Sequence, residues 1–365
     1  MTNINEVTNC YGCFACMNKC PKQCIHLVKN KLGHFYPHAT DECIKCQACL
    51  KVCPSINEFY LKQPIEVYAA TDKNYKSEKK SSSGGIATIL SQAIIEKGGI
   101  VYGCSFQNGF QFKHIRCNKF NELEKLRGSK YVQSNISDTY KLIEKDLKDK
   151  KKVLFIGTPC QVNAIKLYFN NNILLYTIDL LCHGVPSTEI LKASLPKYIP
   201  FNKITEIKFR EKENYQIKLF ENEKLIYTCP LSRNLFLKGF FTNIFNRNSC
   251  FTCKYATQSR TGDISLGDFW GLHDITFKDI KGISLCLINS EKGKTLYSNI
   301  ENRIFSTRHT IEEALPSNKP LNFPSRKNLN IRIFQTLYPI LGYRLSIFFS
   351  MPGIIIKSFI LNLIK

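Results

Sequence analysis

The feature that most constrains this chain is a cysteine run that occurs twice. Cys10-x2-Cys13-x2-Cys16-x3-Cys20-Pro21 and Cys43-x2-Cys46-x2-Cys49-x3-Cys53-Pro54 repeat one spacing near the amino terminus. Three thiolates separated by two residues can grip one face of an iron–sulfur cube, and the turn after them sends a fourth thiolate to a neighbouring cube. Such a segment must fold round two 4Fe–4S clusters with a crossed ligand set. The pattern assigns Cys10, Cys13, Cys16 and Cys53 to one cluster, and Cys43, Cys46, Cys49 and Cys20 to the other. Zinc sites commonly use two separated pairs of ligands, and nothing in that chemistry calls for a doubled run of three plus one. Cys24 is surplus to the eight and reads as a small buried residue.

Seventeen cysteines accompany an opening Met1-Thr2-Asn3-Ile4-Asn5-Glu6 that has no basic stretch followed by an apolar run. Together these point to a reduced, cytoplasmic setting in which thiols serve metals rather than disulfides. With 365 residues, 44% of them hydrophobic and 22% charged, the chain exceeds one ordinary domain and can bury a core. The net charge of +22 is compatible with an anionic partner. Lys, Asn and Ile are abundant throughout, however, and no helix-turn-helix or RNA-recognition pattern is present, so no nucleic-acid partner is expected.

Three regions are expected. Residues 1–62 form a two-cluster 4Fe–4S ferredoxin-type module, and residues 63–315 form a mixed α/β domain. A linker around Leu61-Lys-Gln-Pro64 leads into a strand at Val67-Tyr-Ala-Ala70. Lys152–Ile156 and Ile173–Ile178 read as buried strands, Ile86–Lys97 and Gln161–Phe169 as helices, and Ile204–Phe209 with Gln216–Phe220 as a hairpin-like excursion. The fold class is therefore α+β or mixed α/β: a ferredoxin-like module followed by a mixed α/β domain. Residues 316–365 form a basic, apolar tail. After Glu313 there is no acidic residue, yet Lys319, Arg326, Lys327, Arg332, Arg344, Lys357 and Lys365 are present. Its uncharged stretches are too short to span a bilayer. Docking on the protein's own surface and peripheral contact with the inner face of a membrane both stay open for it.

Beyond the cysteine module come Ser81-Ser-Ser-Gly-Gly85, Gly128-Ser-Lys-Tyr-Val-Gln-Ser134, Gly157-Thr-Pro-Cys-Gln161, Asp179-Leu-Leu-Cys-His-Gly-Val-Pro-Ser187 and Asp263-Ile-Ser-Leu-Gly-Asp-Phe-Trp-Gly271. In this order they resemble the signatures of the family of coenzyme F420 hydrogenase/dehydrogenase beta subunits, and Cys250-Phe-Thr-Cys253 with Lys281-Gly-Ile-Ser284 fits the same pattern. The resemblance covers roughly residues 65 to 300. It implies an iron–sulfur flavoprotein oxidoreductase with FAD, and the deazaflavin F420 as the family's named substrate. Many bacterial relatives lie among surface-polysaccharide genes in organisms not known to use F420. A ferredoxin-dependent reductase in surface-polysaccharide metabolism and a non-catalytic electron-carrier subunit of a larger complex are therefore the alternatives. The implied partners are a ferredoxin or a partner oxidoreductase subunit, and a small-molecule substrate.

The same residues have a physical reading. Glycines let backbone N–H groups approach phosphates, and a following helix N-terminus favours anions, which marks Ser82, Ser83, Gly84 and Gly85 as cofactor-binding candidates. Gly157, Thr158 and Pro159 follow an apolar strand, where open α/β sheets place ligands. Lys130 could pair with a phosphate and Tyr131 could stack on a ring, while Gly267 and Asp268 lie beside Trp270, the single tryptophan. His183 reads as a hydrogen-bonded structural residue, with a proton-relay role as the alternative. Cys160, Cys182, Cys250 and Cys253 all fall inside the family-like motifs and could supply a third 4Fe–4S cluster, the alternative for Cys250 and Cys253 being a zinc half-site. Cys104, Cys117, Cys229 and Cys286 read as small buried residues. No catalytic residue is assigned.

Overall fold

In the computed structural model, residues 1–57, 61–74, 81–278 and 280–353 are described. Near the amino terminus, β1 (Ile25–Lys29) pairs antiparallel with β2 (Phe35–Ala39). Each cysteine run starts a short helix, Ala15–Lys19 in the first and Ala48–Lys51 in the second. The residues that precede them, Phe14 and Gln47, are both left-handed, with φ of 60°. Two residues earlier, Gly12 and Lys45 are left-handed as well. The doubled sequence thus gives a doubled backbone path, and the tight left-handed bends set successive thiols along the wall of one recess.

The rest of the chain is built on a sheet. Its first strands are β3 (Glu66–Asp72), β4 (Ile100–Gln107), β5 (Gln111–Cys117), β6 (Val153–Gly157) and β7 (Leu175–Leu180). An excursion follows in which β8 (Glu206–Glu211), β9 (Asn214–Glu221) and β10 (Lys224–Pro230) form a separate three-stranded antiparallel sheet. The chain then returns as β11 (Ile264–Asp268), β12 (Ser284–Ile288) and β13 (Ile304–His309). The eight-stranded order is β13-β3-β12-β11-β7-β6-β4-β5. Strands β4, β6, β7 and β11 are parallel neighbours. Because β12 is antiparallel to both β11 and β3, β3 points the same way as those four. Their near-continuous apolar runs, such as the buried Val153-Leu154-Phe155, suit strands covered on both faces.

This topology brings the carboxyl ends of five strands to one edge, the place where open α/β sheets bind ligands. Helices Ile86–Glu96 and Pro159–Tyr168 leave from that edge. The cysteine module is not a separate bead: Cys13, Phe14, Ala15 and Val52 share a core with Tyr140, Ile143, Phe155 and Val162. The tail forms a helix, Leu329–Ser350, kinked at Gly342 (φ 70°) and containing Pro339. Ile331, Phe334, Tyr343 and Ile347 dock it on the core around Phe236 and Phe245. Its opposite face leaves Ile340, Leu341, Leu345, Phe348 and Phe349 exposed. No helix among the described residues is long and apolar enough to cross a membrane. The last part of the basic tail, residues 354–365, lies outside the described residues.

Candidate redox site

The module holds two recesses, each walled by cysteines of both runs. One is lined by Cys10, Cys13, Cys16 and Cys53, together with Tyr11 and Gly12. The other is lined by Cys20, Cys43, Cys46 and Cys49. The fourth thiol of each run has crossed to the other's recess, which is the arrangement two cubes need. Cys24 also lines the second recess, its Sγ 3.5 Å from that of Cys20. Burial first, then neighbouring thiols, Cys53 among them, push the Cys13 and Cys16 thiols well above their ordinary value. As thiolates they therefore call for a cation in the recess. The residues fit 4Fe–4S clusters.

A second gathering of thiols lies against the first run. Burial, then the charges of Cys253 and Cys182, push the Cys160 thiol up to about 12. Burial and the charges of Cys250 and Cys253 do the same to Cys182, and Cys250 likewise reaches about 12. Cys160 from a helix start, Cys182 from the segment after β7, and Cys250 with Cys253 from one turn are thus neighbours. Cys160 is held by a helix start: Thr158 and Gln161 form a capping box, and Thr158 Oγ1 is 3.3 Å from Cys160 Sγ. On the Cys182 side, Gly184 N donates to Cys182 Sγ at 3.4 Å. Among the described residues no three Cys, His, Asp or Glu side chains meet closely enough to chelate a single ion. The same is true of the eight module cysteines, whose thiols line recess walls instead of converging on a point.

Tyr11 ties the two gatherings together. It packs edge-on to Tyr255 at 5.5 Å, and Tyr255 donates to Pro54 O and accepts from Asn163 Nδ2 at 2.7 Å. Behind them Arg260 pairs with Asp179, both buried, and donates to the carbonyls of Tyr255 and Thr257. Asp179 in turn accepts from Gly262 N at 2.7 Å, so this buried pair is hydrogen-bonded on both sides.

A third network lies further along the strand ends. Arg210, on β8, donates to both carboxylate oxygens of Asp268, at 2.7 and 3.1 Å, and to Ser82 O at 2.5 Å. Lys212 Nζ donates to Ser83 O at 2.9 Å, and Ser129 N to Ser82 Oγ at 2.9 Å. The guanidinium sits 5.0 Å from the Tyr215 ring centre and 5.7 Å from that of Trp270. Tyr131 stacks on Phe240 at 4.4 Å and lies beside Tyr215. Phe240 also meets His183 at 5.3 Å, and His183 Nε2 faces Phe241 O at 3.4 Å, so this network begins one residue from Cys182.

Ser82 and Asp268 are therefore linked through Arg210, Ser83 is held by Lys212, and Tyr131 joins them by packing beside Tyr215. Gly157, Thr158 and Pro159 belong instead to the helix start that presents Cys160. Lys130 donates to the carbonyls of Lys125, Leu126 and Arg127, and burial pulls its ammonium down to about 8. Gly267 is packed by Leu181, and Gly84 by the sheet itself, since a Cβ there would lie 2.3 Å from Ala70 O. By contrast, Gly128 (φ +78°) faces open space. Room for a planar cofactor would thus have to come from beside Gly128 and the aromatic groups round Arg210, since Gly84 leaves none. Cys117 and Cys286 are buried in strands, while Cys104 and Cys229 are partly exposed. Sequence reasoning missed Arg210, Lys212, Arg247 and Tyr255. For Arg210 the one signal was its place at the end of a strand in the excursion.

Fold and site define an iron–sulfur electron-transfer protein. Residues 9–57 match the 4Fe-4S dicluster domain, and residues 150–313 match the C terminus of the coenzyme F420 hydrogenase/dehydrogenase beta subunit. The chain is 23% identical over 271 residues to one of the subunits of the F(420)H(2) dehydrogenase of Methanosarcina mazei, a stretch that covers 71% of this chain and 75% of that protein. A chain of the F420-reducing NiFe hydrogenase complex from Methanosarcina barkeri shares the fold with a TM-score of 0.50 at 22% identity, over 72% of this chain and 87% of that one. The chain is thus similar over residues 150–313 to the C terminus of coenzyme F420 hydrogenase/dehydrogenase beta subunits, and over residues 9–57 to the 4Fe-4S dicluster domain.

Proposed function

We propose that this protein is an iron–sulfur flavoprotein oxidoreductase that links a one-electron redox partner to a small two-electron substrate, F420 or another. The observation that supports the reading is the succession of sites. A cysteine run that is exposed at residues 44–47 is followed by a more buried one, then by the Cys160, Cys182, Cys250 and Cys253 group, then by the aromatic network round Arg210. Residues 1–62 hold two clusters with the crossed ligands. Residues 63–315 supply a third 4Fe–4S site from the four later cysteines and a flavin site from Ser82, Ser83, Tyr131 and Asp268, with Arg210 and Lys212 orienting the loop. A bound FAD supplies exchange between single electrons and hydrides. Around it, the chain's own residues exclude water with Tyr131, Tyr215 and Trp270, and Arg210 holds both carboxylate oxygens of Asp268 in place.

Two finer features concern partners. The exposed second run suits docking of a ferredoxin or a partner oxidoreductase subunit. The apolar outer face of helix Leu329–Ser350, with Arg332 and Arg344 nearby and no acidic residue after Glu313, suits peripheral contact with an anionic membrane face.

Quantifying iron and flavin in anaerobically prepared protein tests the reading. Three cubes correspond to about twelve irons per chain, and a Cys250→Ser/Cys253→Ser double variant is expected to lose about four while keeping its flavin. A content of about eight irons, unchanged in the double variant, eliminates the third cluster. Iron-replete protein that never takes up FAD eliminates the flavin and leaves the alternative, an electron-carrier subunit.

A further inference from the structure

We propose that Arg247 is a positioning residue that clamps the first cysteine run onto the Cys160, Cys182, Cys250 and Cys253 group, and that its buried cation raises the reduction potential of the clusters on both sides. The half of this that concerns the four later cysteines rests on the third-cluster reading above. The half that concerns the Cys10 cluster does not.

Arg247 is only 1% exposed. Its Nε donates to Cys10 O at 2.6 Å, Nη2 to Phe35 O at 2.7 Å and Nη1 to Gln133 Oε1 at 3.1 Å, and the guanidinium lies 4.1 Å from the Tyr36 ring centre. Every one of these acceptors is neutral. The other two guanidinium groups buried at the site, Arg210 and Arg260, are each paired with a carboxylate, whereas among the described residues no ion pair includes Arg247. Burying a charge without a counter-charge is strongly unfavourable, as breaking a buried ion pair is. Such a group persists only where something anionic sits close by. A cube held by four thiolates is anionic, and more so when reduced.

The main chain of the same residue reaches the other gathering. Arg247 N donates to Val185 O at 3.1 Å, three residues beyond Cys182, and Arg247 O accepts from Cys250 N at 2.9 Å. Its charge favours the thiolate forms of Cys160 and Cys250. Ser249 Oγ adds a second bond to Cys10 O at 3.0 Å. On the module side the fit requires glycine: a Cβ on Gly12 would lie 2.5 Å from Gln133 Nε2 and 2.8 Å from Arg247 Nη1. Lys45, at the matching position of the second run, is exposed. One cation therefore stands between two cysteine groups and apart from the third. Since net charge and hydrogen bonding tune cluster potentials, and reduction adds negative charge, a nearby buried cation stabilises the reduced form.

The test is a potentiometric titration followed by electron paramagnetic resonance on the full-length, anaerobically loaded protein. Arg247→Gln is expected to lower the midpoints of the Cys10 cluster and of the Cys160 group while leaving that of the Cys43 cluster in place. Arg247→Lys, which keeps the charge, is expected to retain most of the wild-type values. Unchanged midpoints in Arg247→Gln, or an equal shift of all clusters, overturn the proposal. If Arg247→Gln does not retain iron, Arg247→Lys decides. Iron retained at near-wild-type potentials supports the charge, and iron lost to the same extent overturns it in favour of shape alone. If wild-type protein shows no third signal, the third-cluster reading has failed, and the Cys10 midpoint still decides the role of Arg247.

Discussion

The two cysteine runs share spacing and backbone, yet residues 11–16 of the first are all buried while residues 44–47 of the second are all exposed. In the first, Tyr140 donates to Cys13 O at 2.9 Å, Gln133 to Tyr11 O and Gly12 O, and Arg247 to Cys10 O. In the second, residues 44–47 face outward and Cys46 is exposed, although Cys49 is buried. A local repeat therefore builds two equivalent cluster sites, and tertiary contacts alone make one inner and one outer. The outer site is thus open at the surface, and the inner one is pressed against the next group of thiols.

The sharpest break of this comparison exchanges the crossed ligands. Cys53→Ser should empty or damage the inner cluster, and Cys20→Ser the outer one, each at a loss of up to about four irons. Because Cys24 Sγ lies 3.5 Å from that of Cys20, the outer case is best made with Cys20→Ser and Cys24→Ser together. Electron paramagnetic resonance on each variant reads which signal goes; the opposite assignment would mean uncrossed ligation.

Next in size is the platform behind the inner run. Arg260→Met leaves Asp179 buried without its partner, and we expect a loss of about 3–5 kcal/mol in denaturant unfolding of the loaded protein. A loss below about 1 kcal/mol would show that the inner site does not depend on this pair.

A smaller contrast lies at the matched left-handed positions. Gly12→Ala should destabilise by about 1–3 kcal/mol, from crowding against Gln133 and Arg247 added to its positive φ. Lys45→Gly should be neutral or stabilise by up to about 1 kcal/mol, since it relieves the same backbone with nothing packed on it. Equal effects at both positions would contradict the inner–outer difference.

The smallest effect concerns the tail. Arg344→Gln should weaken binding to anionic vesicles by about 1 kcal/mol, roughly fivefold, and leave neutral vesicles unaffected. Wild-type protein that fails to sediment with anionic vesicles removes the membrane contact from the functional proposal.

Ligand spacing is covalent and local, so the sequence by itself determined the doubled cluster run. Apolar periodicity likewise marked helices Ile86–Glu96 and Pro159–Tyr168, strands β6 and β7, and the β8–β9 excursion. It could not show what surrounds a side chain. Lys130 has the local look of a phosphate ligand, but the fold turns its ammonium onto three backbone carbonyls. Arg210 meets Asp268 from 58 residues away, and Arg247 meets Cys10 from 237. Burial and charge compensation depend on which distant segments meet. The roles of these cations, and which of two runs of identical spacing lies inside, were therefore decided by the tertiary structure alone.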